Sequence, residues 1–132
     1  MEVSELMRTE VVTVGEDTPV GDILDLMTAA RIHAVPVLSS AGELIGMVSQ
    51  EDLLVGGLGT RGEAGGGSTT ASDVMTAPPM AVNETSPVED VARLMWEFRI
   101  HHVPVLREGT IVGIVSSLDY CRLTAGKMQT EP

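Results

Sequence analysis

The sequence has 132 residues, enough for a compact domain with a buried core but too few for two large ones, so any duplicated unit must be small. An apolar fraction of 43% and a charged fraction of 20% argue against disorder over most of its length. The formal net charge of −11 argues against a nucleic-acid binder or a protein held to anionic membranes, since both need a positive field.

In chain order, the first segment, Met1-Glu2-Val3-Ser4-Glu5, lacks the basic and apolar regions of a signal peptide. With the single cysteine, Cys121, unable to form an internal disulfide, a reducing, cytoplasmic location is expected. No apolar run approaches the roughly 20 residues that cross a bilayer, so no membrane partnership is expected. Thr18-Pro19 predicts an N-cap followed by a first-turn proline, and Val20, Ile23, Leu24 and Met27 then recur at the spacing that buries one helix face. Val35-Pro36-Val37-Leu38 and Leu44-Ile45-Gly46-Met47-Val48 are β-rich runs around a Gly-containing turn, which predicts an antiparallel hairpin. Residues 56–72 hold seven glycines among Ser, Thr and Ala with no periodicity, which predicts a flexible linker with a mobile middle.

Beyond the linker the pattern returns. Ser86-Pro87 with Glu89 predicts a capping box, Val88, Val91, Ala92 and Met95 a second amphipathic helix, and Val103 to Leu106 with Thr110 to Val115 a second hairpin. Arg31-Ile32-His33-Ala34-Val35-Pro36-Val37-Leu38 matches Arg99-Ile100-His101-His102-Val103-Pro104-Val105-Leu106 at an offset of 68 residues, which also carries Met7 to Met75. After the hairpin turn the offset is 67, carrying Gly46-Met47-Val48-Ser49-Gln50-Glu51-Asp52 to Gly113-Ile114-Val115-Ser116-Ser117-Leu118-Asp119. Each copy reads as strand, helix, strand, strand, helix. The expected class is α+β, with two β-α-β-β-α repeats packed about a pseudo-twofold axis, because one such unit has too small a core by itself. The boundaries read as repeat 1 over 1–55, linker over 56–72, repeat 2 over 73–124 and a tail over 125–132.

A duplicated unit with a His-bearing Val-Pro-Val strand and a Gly-h-h-Ser-x-x-Asp end, h being apolar, resembles the CBS domain, named for cystathionine beta-synthase, over about Val3 to Leu54 and Asp73 to Leu123. The resemblance implies a regulatory module for adenosine-containing ligands such as AMP, ADP, ATP or S-adenosylmethionine, usually assembled as a dimer of pairs. It requires no cofactor. Carried over to this sequence, it implies one cleft combining Ile114, Ser116 and Asp119 with Val12, Ile32, His33 and Ala34, and another combining Met47, Ser49 and Asp52 with Met80, Ile100, His101 and His102. The apolar members would sandwich the adenine. No Arg stands directly before either Val-Pro-Val run, as it does in the strongest nucleotide binders of the family, which argues against a triphosphate.

The chemistry of the Ser-x-x-Asp ends admits two readings. An Asp in the first turn of a helix can accept both hydrogen bonds of a ribose cis-diol beside free backbone N–H groups that suit a phosphate. The same spacing is an ordinary capping box that only satisfies the helix end. Glu51 adds a carboxylate at one end where Leu118 stands at the other, so charge alone favours the Asp119 site. The histidines have no thiol or carboxylate at metal-ligand spacing, and no metal is expected. Gly46 and Gly113 leave their strands open to close approach by another group. No nucleophile elbow or P-loop is present, so no enzymatic activity is expected. The expected function is nucleotide sensing on behalf of a separate protein partner, with a dimerising adaptor as the alternative. A homodimer through helix faces is expected from the apolar cluster Met95, Trp96 and Phe98.

Overall fold

β-branched residues that alternate around a fixed proline build the same hairpin twice in the computed structural model, which describes residues 1–57 and 69–130. The elements are β1 (Val14–Gly15), α1 (Val20–Ala30), β2 (Ala34–Leu38), β3 (Leu44–Ser49), α2 (Gln50–Asp52), which runs into a π-helical turn over Leu53–Gly57, and α3 (Ala71–Val74). They continue as β4 (Val82–Asn83), α4 (Val88–Phe98), β5 (His102–Arg107), β6 (Thr110–Ser116) and α5 (Ser117–Thr130). The middle of the predicted linker lies outside the described residues. Its predicted edges are structured, with Gly56 and Gly57 in the π-helical turn and Ala71 buried at the start of α3.

Two compact units form, one from Val12–Pro79 and the other from Met1–Val11 together with Met80–Pro132. In the first, β1 pairs parallel with β2, and β2 antiparallel with β3, giving a three-stranded sheet with Val35 opposite Val48. Ile23 and Met27 of α1 pack on this sheet with Val35, Val37, Val48, Leu53, Ala71 and Val74. The second unit repeats the order β4-β5-β6, with Val103 opposite Val115. Its core gathers Val88, Val91 and Met95 of α4 with Val103, Val105 and Val115, and adds Val3 and Leu6 from the chain's first segment. Each fully buried aliphatic side chain contributes about 1.5–3 kcal/mol, so these two clusters dominate the stability of their units. Tyr120 ties α5 to α4 by donating its hydroxyl to the Val88 carbonyl at 2.8 Å, and burial pushes the phenol up to about 12.

The predicted helix faces and hairpins are found, but the predicted helix starts are corrected. Pro19 and Pro87 themselves occupy the N-cap positions, with extended backbone and no side-chain cap, and the Ser86/Glu89 capping box does not form. The reason is long-range. The first helical N–H of α1, at Val20, donates to the carbonyl of Thr69, and that of α4, at Val88, to the carbonyl of Met1. A passing backbone thus does the work expected of a side chain, and the Thr18 hydroxyl instead accepts the Gly15 N–H at 3.0 Å. The indel predicted in the hairpin turns is also there: Glu108 and Gly109 form a two-residue loop with both φ positive, whereas the first hairpin turns through Ser39–Gly42.

Candidate functional site

Both Ser-x-x-Asp ends sit where the last strand of a sheet becomes a helix. At the end of β6, the Asp119 Oδ2 accepts the Ser116 backbone N–H at 2.8 Å and the Ser116 hydroxyl at 3.1 Å. At the end of β3, the Asp52 Oδ2 accepts the Ser49 N–H at 2.8 Å and its hydroxyl at 3.0 Å, while the Ser49 Oγ caps the Asp52 N–H at 3.2 Å. The capping arrangement open from the sequence is therefore present at both ends. The next N–H of each helix is also taken, Gln50 donating to the His33 carbonyl and Ser117 to the His101 carbonyl.

A short methionine-bearing segment closes the end from one side in each unit, Met7-Arg8 ahead of β4 in sequence in one and Met75-Thr76 just after α3 in the other. Arg8 pairs with Ile114 through two backbone hydrogen bonds, and Thr76 pairs with Met47 in the same way. These segments reach the strands only because Gly113 and Gly46 carry no side chain. A Cβ on Gly113 would collide with Met7 and stand 3.0 Å from the Arg8 carbonyl oxygen, and one on Gly46 would collide with Met75 and stand 3.1 Å from that of Thr76. The group expected to approach the glycines is thus a methionine and its backbone, the Met7/Met75 pair of the repeat.

From these segments the two ends diverge. Arg8 Nε donates to Asp119 Oδ1 at 3.2 Å, and Arg122 Nη2, one turn along α5, donates to the same oxygen at 3.0 Å. Asp119 is completely buried while both arginines stay about two-thirds exposed. Burial pushes this carboxyl up, but the Ser116 N–H, the two guanidinium groups and the Ser116 hydroxyl together outweigh it and hold it below the ordinary carboxylate value. Asp52 is half-buried, and among the described residues its Oδ1 accepts only the Thr76 hydroxyl, at 3.3 Å. Arg8, Arg122 and Thr76 escaped the sequence reading. The available signal was a mismatch between the copies, Arg8 against Thr76 and Arg122 against Val55, at the offsets that align Met7 with Met75 and Asp119 with Asp52.

Within the unit of Val12–Pro79, Ala34 pairs with Ser49 across the hairpin, His33 is exposed beside them, Ile32 packs on the core edge, Met47 pairs with Pro36, and Val12 is half-buried. Within the other unit, His102 pairs with Ser116, Ile114 with Pro104, Ile100 packs on the core edge and Met80 is half-buried. His101 is exposed, with its Nδ1 3.4 Å from the Ser117 hydroxyl. Each unit by itself therefore brings a histidine, a serine and an aspartate to one end of its hairpin.

The CBS domain profile matches this chain twice, over residues 3–56 and 71–126. The chain belongs to the CBS domain family. A CBS domain-containing protein of Bacillus subtilis, YhcV, is 30% identical over 129 residues, covering 98% of this chain and 87% of its own. The fold matches a CBS domain pair solved in complex with 5′-methylthioadenosine and S-adenosyl-L-methionine, at a TM-score of 0.83 and 24% identity. It also matches CBSX2, solved in complex with AMP, at 0.82 and 24%. Each of these two likenesses covers 96% of this chain and 98% of the other. No helix among the described residues is long and apolar enough to cross a membrane.

Proposed function

We propose that this CBS pair is a regulatory module that senses an adenosine-containing ligand and acts on a separate protein partner. The observation that carries the reading is the pair of Ser-x-x-Asp ends, each holding a carboxylate in the first turn of a helix beside an exposed histidine, with that of Asp52 half-buried rather than enclosed. A carboxylate there suits a ribose cis-diol, and the ligands of two CBS pairs of the same fold are an adenosine monophosphate and two adenosine thioethers or sulfonium compounds. The ligand residues proposed are those named from the sequence around Ser49/Asp52 and Ser116/Asp119. The absence of an Arg before Val35 or Val103 favours AMP or S-adenosylmethionine over ATP.

A thermal-shift panel of AMP, ADP, ATP, S-adenosylmethionine and 5′-methylthioadenosine tests this. A ligand that binds only the folded chain at 100 times its Kd adds about 2.7 kcal/mol and raises Tm by several degrees. A panel in which no compound moves Tm at millimolar concentration displaces the sensing reading in favour of the adaptor. The adaptor has its own supporting observation. Trp96 and Phe98 on α4 are 78% and 56% exposed, a costly surface unless another chain covers it.

A further inference from the structure

We propose that Arg8 and Arg122 form a guanidinium clamp that closes the Asp119 end to a ribose, so that Asp52 alone is ligand-competent in the resting chain. The inference rests on the adenosine-sensing reading above and deepens it by assigning which carboxylate does the recognising. An ionised carboxylate offers about four acceptor positions. At Asp119 all four are filled from within its own unit, by the Ser116 N–H, the Ser116 hydroxyl, Arg8 Nε and Arg122 Nη2, and the side chain has no solvent exposure. A cis-diol can bond this carboxylate only by displacing charge-assisted donors with neutral hydroxyls, an unfavourable exchange.

At Asp52 the inner oxygen is held in the same way by Ser49, but among the described residues the outer oxygen has one neutral donor, the Thr76 hydroxyl at 3.3 Å. Val55, which stands where the other copy has Arg122, supplies none and is itself exposed. Losing the Thr76 bond to a ligand hydroxyl exchanges like for like. The ranking suggested by Glu51 alone is therefore inverted, because that residue only adds repulsion near the phosphate whereas the clamp occupies the recognition atoms themselves. Among the differences between the copies, Arg8 against Thr76 and Arg122 against Val55 are the two that make the clamp, so Thr and Val are the replacements that give the Asp119 carboxylate the surroundings of Asp52.

Isothermal titration with AMP decides it. The wild type is expected to bind one AMP per chain, and Asp52→Ala to abolish that binding. The double variant Arg8→Thr/Arg122→Val is expected to bind a second AMP per chain, with an affinity at least tenfold above any residual binding at that end of the wild type, and Asp119→Ala in that background removes it. Arg122→Val alone, which leaves the backbone pairing of Arg8 untouched, moves in the same direction, and a circular-dichroism melt establishes that each variant is folded. Two equal sites in the wild type, or weaker AMP binding after removal of either arginine, overturns the clamp while leaving the sensing function standing. No AMP binding by any folded variant removes both.

Discussion

A carboxyl group without solvent exposure stays ionised only where its neighbours more than replace the lost hydration, and at Asp119 four donors do so. Because the folded chain holds this group below its usual value, its stabilising contribution is complete above the unfolded carboxyl value near 3.8 and disappears as pH falls through the lower folded value. In urea denaturation followed from pH 7 downward, the wild type is expected to lose stability below about pH 4 more steeply than Asp119→Asn. Equal slopes would show that the clamp contributes nothing. The residue type and its place in the Ser-x-x-Asp end were legible because they are local. Its partners were not, since Arg8 lies 111 residues away in sequence and only the fold brings it across.

At the scale of elements, the hairpins and amphipathic helices follow from patterns a few residues long: Val35, Val37 and Val48 are buried as their strand positions require, and Val20, Ile23 and Met27 as their helical spacing requires. The helix starts failed for the opposite reason. Thr18 and Ser86 carry a sound capping signal, and a distant backbone arrives first, at Thr69 and Met1. The same distant segments explain the strand glycines, which looked from the sequence like openings for a ligand as much as for a neighbour. Gly113→Ala is expected to cost about 1–3 kcal/mol through overpacking against Met7 and the Arg8 backbone. Gly21→Ala, on a helix surface with nothing near the added methyl, is expected to be neutral or mildly stabilising. Equilibrium denaturation of the two variants side by side checks the contrast.

For the molecule as a whole, the net charge of −11 opposes self-association, so any homodimer must be held by apolar contact strong enough to overcome it. Trp96 and Phe98 offer that contact, with the Arg99 guanidinium 5.9 Å from the indole centroid. Sedimentation at micromolar concentration is expected to give a dimer for the wild type and a monomer for Trp96→Glu, and the fluorescence of this sole tryptophan to shift blue with concentration. A wild-type monomer would rule the face out. The assignment of Met1–Val11 to the unit completed by Met80–Pro132 bears on how the protein is made. Val3 and Leu6 are synthesised before the Val12–Pro79 unit, yet belong to a core whose strands β5 and β6 come after it. Until then they are apolar side chains in search of a partner. The Val12–Pro79 unit, contiguous in sequence, is free to form while they wait.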